Sequence, residues 1–160
     1  MFSEITLTIA ELLKQHHATV TVAESSTGGL ISANLLSVAG ASSYFLGGSV
    51  VYTLAARRAW LDLDRTKTKA LKPMTEEMAQ EFATAAQRQL DTTWGIAELG
   101  ATGPAGTPYG HSPGTCVIGI SGPIQKTLRI ETQSNQRQQN MLAFTEAALN
   151  LFADTLAEAY

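Results

Sequence analysis

The spacing of hydrophobic and polar residues along this chain predicts helices and strands that alternate. Ile9, Leu12 and Leu13 have the i, i+3, i+4 spacing of an amphipathic helix over 6–15. Further helices are expected where this spacing and helix-start signals recur, at 28–38, 53–61, 73–90 and 135–160. Short runs rich in β-branched residues predict strands at 18–22, 45–52, 94–99, 115–121 and 127–132. We therefore expect an α/β protein built as a layered sandwich.

Composition limits the number of domains and the location. The 160 residues are enough for one core, so we expect residues 1–160 to fold as a single domain. No apolar run approaches the roughly 20 residues that span a bilayer, and we expect no membrane contact. Residues 1–5 contain an acid and no basic segment, which favours a cytoplasmic location. The single cysteine, Cys116, cannot form an internal disulfide, in agreement with that location.

The charge pattern argues against a nucleic-acid partner. The formal net charge is −3, and basic residues concentrate only at 57–58 and at Lys67, Lys69 and Lys72. Clusters of this size are usually solvated surface, whereas binding to DNA or RNA needs a broader basic stripe. We therefore expect a small-molecule ligand rather than a nucleic acid.

Two loops that follow predicted strands carry the candidate chemistry. The first, 25–29, reads SSTGG and leads into a helix. The second, 100–114, is the longest irregular segment and is rich in glycine. Open α/β sheets bind ligands beyond the carboxyl ends of their strands, so we expect the two loops to be neighbours. Hydroxyls and glycine N–H groups beside a helix N-terminus suit an anion, or a nucleophile and the oxyanion that it generates.

Five motifs, in order, resemble one known family. AESSTGG at 23–29 is followed by GASSYF at 40–45, VY at 51–52, GPAG at 103–106 and PGT at 113–115. In these motifs the chain resembles the C-terminal domain of the competence-damage protein CinA. The resemblance implies a three-layer α/β/α sandwich with a mixed central sheet, in a family whose members often form homo-oligomers. With 160 residues and no linker, we expect a stand-alone domain. It also implies hydrolysis of the carboxamide of nicotinamide mononucleotide to nicotinate mononucleotide and ammonia, with no metal and no cofactor.

The resemblance assigns roles to residues of the first loop. The family writes this loop A-E-S-C-T-G-G, so Ser25 stands where the presumed nucleophile stands and Ser26 replaces a cysteine. Thr27, Gly28 and Gly29 match residues that offer hydroxyl and backbone donors to a phosphate or a tetrahedral oxyanion.

Two further polar side chains have simpler interpretations. Glu24 also matches the family, and we favour a structural carboxylate that holds the backbone of the turn over a direct chemical role. Cys116 lies just inside a predicted buried strand, so we expect a small core residue rather than a nucleophile.

The chain departs from the family at the motif that holds the base. The family writes Y-S-N-E-A-K where this chain has YTLAAR, so Tyr52 is kept, but Leu54, Ala55 and Arg57 replace Asn, Glu and Lys. A buried lysine can take the proton of a serine, whereas a guanidinium with a pKa above about 12 cannot. Arg57 suits a phosphate or an oxyanion instead. Tyr52, or His111 if the long loop folds over the site, are other candidate bases.

Other positions that match the family are candidate substrate contacts. Thr75 lies in a motif MTE where the family has V-S-E. In the last helix Arg137 is retained, whereas the second family arginine, one turn later, is Met141. Fewer cations would weaken the binding of a nucleotide phosphate. The predicted substrate-binding residues are Ser26, Thr27, Gly28, Gly29, Thr75, Thr102, Gly103, Gly106 and Arg137.

Two functions remain open from the sequence. In the first, the protein is a serine amidohydrolase in which Ser25 attacks the amide carbonyl while Tyr52 and Arg57 assist. In the second, it is a nucleotide-binding or scaffold protein that keeps the fold and part of the pocket but has lost catalysis. The preserved 25–29 loop motivates the first, and the three replacements in the YTLAAR motif motivate the second.

Overall fold

A computed structural model describes residues 2–160, which form a five-stranded sheet between two layers of helices. The strands are β1 Val20–Glu24, β2 Phe45–Val50, β3 Trp94–Ala101, β4 Thr115–Ser121 and β5 Lys126–Glu131. The helices are α1 Ile5–Gln15, α2 Leu30–Leu36, α3 Leu54–Trp60, α4 Arg65–Thr68, α5 Glu76–Gln89 and α6 Arg137–Ala159. Within 2–160, none of the helices is long and apolar enough to cross a membrane.

The sheet is mixed, and its strand order is β2-β1-β3-β4-β5. β1 pairs in parallel with β2 on one side and with β3 on the other, whereas β4 and β5 continue the sheet as antiparallel strands. From β1 the chain passes to β2 at one edge and then crosses back to β3, so the strand order reverses between β1 and β3. A crevice beyond the carboxyl ends of two such strands is where open α/β sheets bind ligands.

Apolar side chains form a core on each face of the sheet. On one face, Val22 and Ile96 are buried beneath α1, α2 and α6. On the other face, Ala23 and Ala97 are buried beneath α5. Successive residues of β1 and β3 thus enter opposite cores, as the alternation of side chains along a strand requires. This confirms the predicted α/β sandwich of three layers with a mixed sheet.

The predicted elements are confirmed, with two additions, the first of which is a 3₁₀ turn at Ala41–Ser43. Thr53 and Thr75 accept hydrogen bonds from backbone N–H groups three residues ahead, as the N-caps of α3 and α5. The segment 62–72, which lies between two predicted helices, contains the short helix α4. Asp64 caps this helix, because its side chain accepts from the N–H groups of the second and third residues beyond it.

Glycine pairs explain two local details. Gly28 and Gly29 have φ values of 64° and 103°, so the helix expected from residue 28 begins at Leu30. In β2, the register with β1 shifts next to Gly47, and a Cβ on Gly48 would collide with a side chain of α2. A glycine pair inside this strand thus accompanies both a local irregularity and a close backbone approach.

Candidate functional site

The carboxyl ends of β1 and β3 bring the two predicted loops together. The Ser25 N–H donates to the Glu98 carbonyl oxygen at 3.1 Å, directly beyond the last paired residue of β1. A Cβ on Gly100, at the end of β3, would lie 2.5 Å from Ser26 Oγ. The long loop then leaves β3 and returns to β4, closed at its base by a hydrogen bond of 2.7 Å from the Gly114 N–H to the Ala101 carbonyl. The predicted proximity of the loops is confirmed.

The Glu24 carboxylate holds the first loop and the start of α2. Its Oε1 accepts from the N–H groups of Gly29 and Ile31 at 2.8 and 3.1 Å. Its Oε2 accepts from the N–H and the hydroxyl of Ser32 at 2.9 and 2.8 Å. The side chain is wholly buried, so these donors replace water around it. Glu24 thus has the structural role that the sequence favoured.

Sequence reasoning missed a second buried carboxyl, that of Glu98 on β3. Glu98 is the Cα partner of Glu24 across the pairing of β1 with β3, and it is also wholly buried. Its Oε2 accepts from the N–H groups of Ser25 and Thr27, both at 3.0 Å, and Ser26 Oγ donates to its Oε1. Burial raises the pKa of this carboxyl, and the hydrogen bonds from the loop oppose that rise. The signal for Glu98 was a lone acid inside the apolar run WGIAEL.

Most donors of the first loop are used inside the chain. The Gly28 N–H donates to the Ser25 carbonyl at 3.2 Å, and the Gly29 N–H donates to Glu24. These donors were expected to face a ligand. In the structure they donate instead to a buried carboxyl and to a backbone carbonyl of the turn. The Ser25 hydroxyl and the Ser26 backbone N–H, in contrast, have no hydrogen-bond partner within residues 2–160. One hydroxyl and one donor from consecutive residues are therefore available to a ligand.

Tyr52, Gly103 and Arg137 meet although they are far apart in sequence. Arg137 donates through Nη1 to the Gly103 carbonyl oxygen, and through Nη2 to the Tyr52 hydroxyl oxygen at 3.3 Å. Asn140, one turn further along α6, donates to the Thr102 carbonyl at 2.9 Å and so holds the same segment of the long loop. Because Tyr52 accepts from Arg137, its own O–H is left to donate elsewhere.

The Arg57 side chain is held by a neighbouring backbone carbonyl and by an aromatic ring. Its Nε donates to the Val51 carbonyl at 3.1 Å, and its guanidinium carbon lies 5.1 Å from the centre of the Phe82 ring. Burial lowers the pKa of Arg57, and electrostatic interactions with its polar neighbours act in the opposite direction. Arg57 also lines a cavity of about 560 Å³ formed by α3, α4, α5 and the segments between them.

Comparison with known proteins decides the family. The family model of the CinA C-terminal domain matches residues 3–156. This chain belongs to the CinA C-terminal domain family. A CinA-like protein from Acaryochloris marina is 38% identical over 125 residues, which are 78% of this chain and 30% of that protein. One from Salinibacter ruber is 31% identical over 149 residues, which are 93% of this chain and 36% of that protein. The chain thus spans about a third of the length of these curated relatives.

Solved structures of CinA superfamily proteins share the fold. One from Klebsiella pneumoniae has a TM-score of 0.88 at 24% identity, with 97% of each chain covered. The competence/damage inducible protein CihA from Agrobacterium tumefaciens has a TM-score of 0.81 at 24% identity, with 98% of each chain covered. At these identities the likeness shows the architecture of the CinA domain, including its sheet and its two helical layers.

Several predicted residues of this CinA domain have structural partners. The Thr75 hydroxyl accepts from the Met78 N–H at 3.2 Å and so caps α5. The His111 side chain forms a hydrogen bond within its own loop, with its Nδ1 2.9 Å from Thr107 Oγ1. Gly106 is exposed in the same loop. The structure therefore gives His111 a local partner rather than a contact with Ser25.

Cys116 is a core residue of the CinA domain, as predicted. It is wholly buried, and burial raises the pKa of its thiol well above the usual value, with Glu98 acting in the same direction. A raised pKa keeps the thiol protonated and unreactive. Within residues 2–160, no cluster of three or more His, Cys, Asp or Glu is arranged to hold a metal ion.

Met141 stands where the family has its second arginine, and it lies against the first loop. A Cβ on Gly28 would be 3.4 Å from Met141 Cε. An arginine at this point of α6 would bring a positive charge next to the loop, whereas methionine brings an apolar surface. Arg137, the first residue of α6, is therefore the one basic side chain on this helix.

Gly100→Ala is expected to lower the free energy of unfolding by about 1–3 kcal/mol, the usual cost of overpacking. The added carbon would lie 2.5 Å from Ser26 Oγ and 2.7 Å from Glu98 Oε1. Gly47→Ala is the matched control, because its added carbon would meet only the end of the flexible Leu90 side chain at 3.0 Å. Urea unfolding measures the stability of both variants. Equal losses would contradict the close approach of Gly100 to Ser26 and Glu98.

Proposed function

We propose that this CinA domain hydrolyses the carboxamide of nicotinamide mononucleotide to nicotinate mononucleotide and ammonia, with Ser25 as the nucleophile. The main support is that the Ser25 hydroxyl and the adjacent Ser26 N–H have no hydrogen-bond partner among residues 2–160. A nucleophilic serine followed by a residue whose N–H binds the oxyanion recurs in serine hydrolases. Both groups lie at the reversal in strand order, where α/β sheets bind ligands.

In the proposed reaction, Ser25 Oγ forms a bond to the amide carbon, and the carbonyl oxygen becomes an oxyanion that the Ser26 N–H binds. The serine proton reaches the amide nitrogen through the Tyr52 hydroxyl, the C–N bond breaks, and ammonia leaves. Water then hydrolyses the acyl-serine to the carboxylate product. Arg137, which holds Tyr52, and Arg57 provide positive charge for the phosphate and the oxyanion.

Self-association and a cytoplasmic location are predictions that accompany this function. β2 is an edge strand of the sheet, and several large apolar side chains on it and near it are exposed. Exposed apolar patches are common where proteins associate. These side chains are Leu46, Val50, Leu54, Trp60 and Leu90.

Binding of the nucleotide without turnover is the second candidate, and Arg57 favours it. A guanidinium is a poor general base, and the Nε of Arg57 already donates to the Val51 carbonyl. A domain that keeps the crevice but has no base for Ser25 would bind nicotinamide mononucleotide and release no ammonia.

Ammonia release from nicotinamide mononucleotide, measured for the wild type beside Arg57→Lys, separates the two candidates. Under the proposed hydrolysis, the wild type releases ammonia. Under the binding function, the wild type is silent while the nucleotide raises its melting temperature, since a ligand of the native state stabilises it. Turnover gained by Arg57→Lys would then identify the missing base. A wild type with neither ammonia release nor a rise in melting temperature would overturn both candidates.

A further inference from the structure

The side chains of Glu24, Thr27 and Glu98 form a buried cluster with more acceptors than protons. Thr27 Oγ1 lies 2.7 Å from Glu24 Oε1 and 2.9 Å from Glu98 Oε2. A hydroxyl has one proton, so Thr27 can donate to only one of the two carboxyls. If both carboxyls were ionised, Thr27 Oγ1 would lie at hydrogen-bond distance from the carboxylate to which it does not donate, with no proton between the two oxygens.

The position of the two acids in the sheet adds to this conflict. Glu24 and Glu98 are paired across parallel strands, and both are wholly buried. Two like charges in one dry site disfavour each other, and one carboxyl then keeps its proton. The cluster therefore needs one proton beyond the one that Thr27 supplies.

We infer that Glu98 is a neutral carboxylic acid in the folded protein at neutral pH, and that its neutrality is what lets the Ser25–Ser26 segment accept an anion. Glu98 is then a positioning residue, since it acts through the backbone of the loop and not on a ligand. The second half of this inference rests on the proposed function, whereas the first half does not.

The distribution of donors assigns the proton to Glu98 rather than to Glu24. Besides Thr27 Oγ1, Glu24 accepts from three N–H groups and one hydroxyl, and these donors engage both of its oxygens. Glu98 accepts from two N–H groups and the Ser26 hydroxyl. A carboxyl with fewer donors keeps its proton more readily, so the proton of the cluster lies on Glu98.

The groups that surround Glu98 agree with this assignment. From β1 it faces the charge of Glu24, and from β4 the Cys116 thiol, whose Sγ is 3.8 Å from Oε1. On the α6 side, Phe144 lies close to the same region of β3. Arg57 on α3 is a cation within electrostatic reach and favours the ionised form, but burial is the larger influence on the pKa of Glu98 and raises it.

The charge of Glu98 matters because its carboxyl lies directly behind the proposed anion site. Its Oε2 accepts from the Ser25 N–H, one residue before the unbonded Ser26 N–H. A negative charge at this point would repel an oxyanion or a phosphate in a region of low dielectric. Anion binding should therefore weaken as the pH rises through the raised pKa of Glu98.

Carbon-13 NMR of the glutamate side-chain carboxyls tests the protonation without any ligand. In the wild type, we expect one Cδ resonance to stay at the position of a protonated acid at neutral pH, and Glu98→Gln should remove it. The matched control Glu158→Gln, at an exposed glutamate, should leave it in place. The inference is overturned if every glutamate ionises near the ordinary value of about 4.3, or if the protonated resonance persists in Glu98→Gln.

The pH dependence of turnover tests the role of that proton, because the oxyanion that the Ser26 N–H binds forms only during the reaction. In the wild type, kcat/KM for nicotinamide mononucleotide should fall by up to about tenfold for each pH unit above the raised pKa of Glu98. In Glu98→Gln, which is neutral at every pH, this fall should be absent. Ionisation of the ligand's own phosphate affects both proteins equally, so parallel profiles would overturn the positioning role. If neither protein releases ammonia, the proposed hydrolysis fails together with this role, and the NMR result stands by itself.

The same proton makes stability depend on pH. Because the folded-state pKa of Glu98 is raised, the folded protein binds a proton that the unfolded chain releases above about 4.3. The stabilisation is fully present below that value and is lost as the pH rises through the raised pKa. We expect the melting temperature of the wild type to fall over this window, and the fall to be smaller in Glu98→Gln.

Discussion

Replacing Glu24 with alanine is expected to lower the free energy of unfolding by about 3 kcal/mol or more. The change removes the acceptor of the N–H groups of Gly29, Ile31 and Ser32, which begin α2. A donor left without a partner inside a protein costs roughly 1–3 kcal/mol, so three donors give at least this loss. Urea unfolding monitored by circular dichroism measures it.

Glu158→Ala is the matched control for Glu24→Ala. Glu158 forms an ion pair of 2.8 Å with Lys126, and both side chains are substantially exposed. Exposed pairs contribute about 0–1 kcal/mol, so this variant should unfold close to the wild type. A loss for Glu24→Ala no larger than that of Glu158→Ala would contradict the role of Glu24 as the acceptor that holds the loop.

The elements of the fold could be predicted because their signals are local. Helical spacing, β-branched runs and turn residues are each read from a few neighbouring positions, and the strands and most helices were found in this way. The helix α4 was missed because it is a single turn whose main signal is the Asp64 cap. The start of α2 was misplaced by two residues, since a glycine pair with positive φ precedes it.

The location of the site was also predictable, but the hydrogen bonds within it were not. Loops that follow β1 and β3 meet because parallel strands end at the same edge, which is a rule of topology. The pairing of Glu24 with Glu98 depends on the register between strands about 70 residues apart, and no local pattern states that register. For this reason the loop donors were expected to face a ligand, whereas the structure directs most of them to two buried acids.

These internal hydrogen bonds change how the first loop can bind an anion. A loop rich in glycine next to a helix usually offers several N–H groups, but here Glu24 engages the donors at the start of α2. Among residues 2–160, the first loop leaves the Ser26 N–H and the Ser25 hydroxyl for a ligand. The proposed reaction adds the side chains of Tyr52, Arg57 and Arg137. Fewer donors make the protonation of Glu98 more important, since one more negative charge would oppose this small set.

Ser25→Ala is expected to reduce turnover of nicotinamide mononucleotide by roughly a thousandfold or more, as the loss of a serine nucleophile does in other hydrolases. The Ser25 hydroxyl has no hydrogen-bond partner within residues 2–160, so its removal breaks no hydrogen bond there. The variant should therefore fold as the wild type does, and the nucleotide should still raise its melting temperature. Ammonia release and thermal unfolding, measured on the same preparations, check both parts.

Ser26→Ala is the matched control, because it removes the neighbouring hydroxyl and keeps the backbone N–H. Ser26 Oγ donates to Glu98, so this variant should lose about 1 kcal/mol of stability or more while retaining most of its turnover. The two variants thus separate catalysis from stability. Ser25→Ala should lower the rate of turnover, and Ser26→Ala should lower the free energy of unfolding. If Ser26→Ala abolished turnover and Ser25→Ala did not, the nucleophile would be Ser26, and the assignment of Ser25 would be wrong.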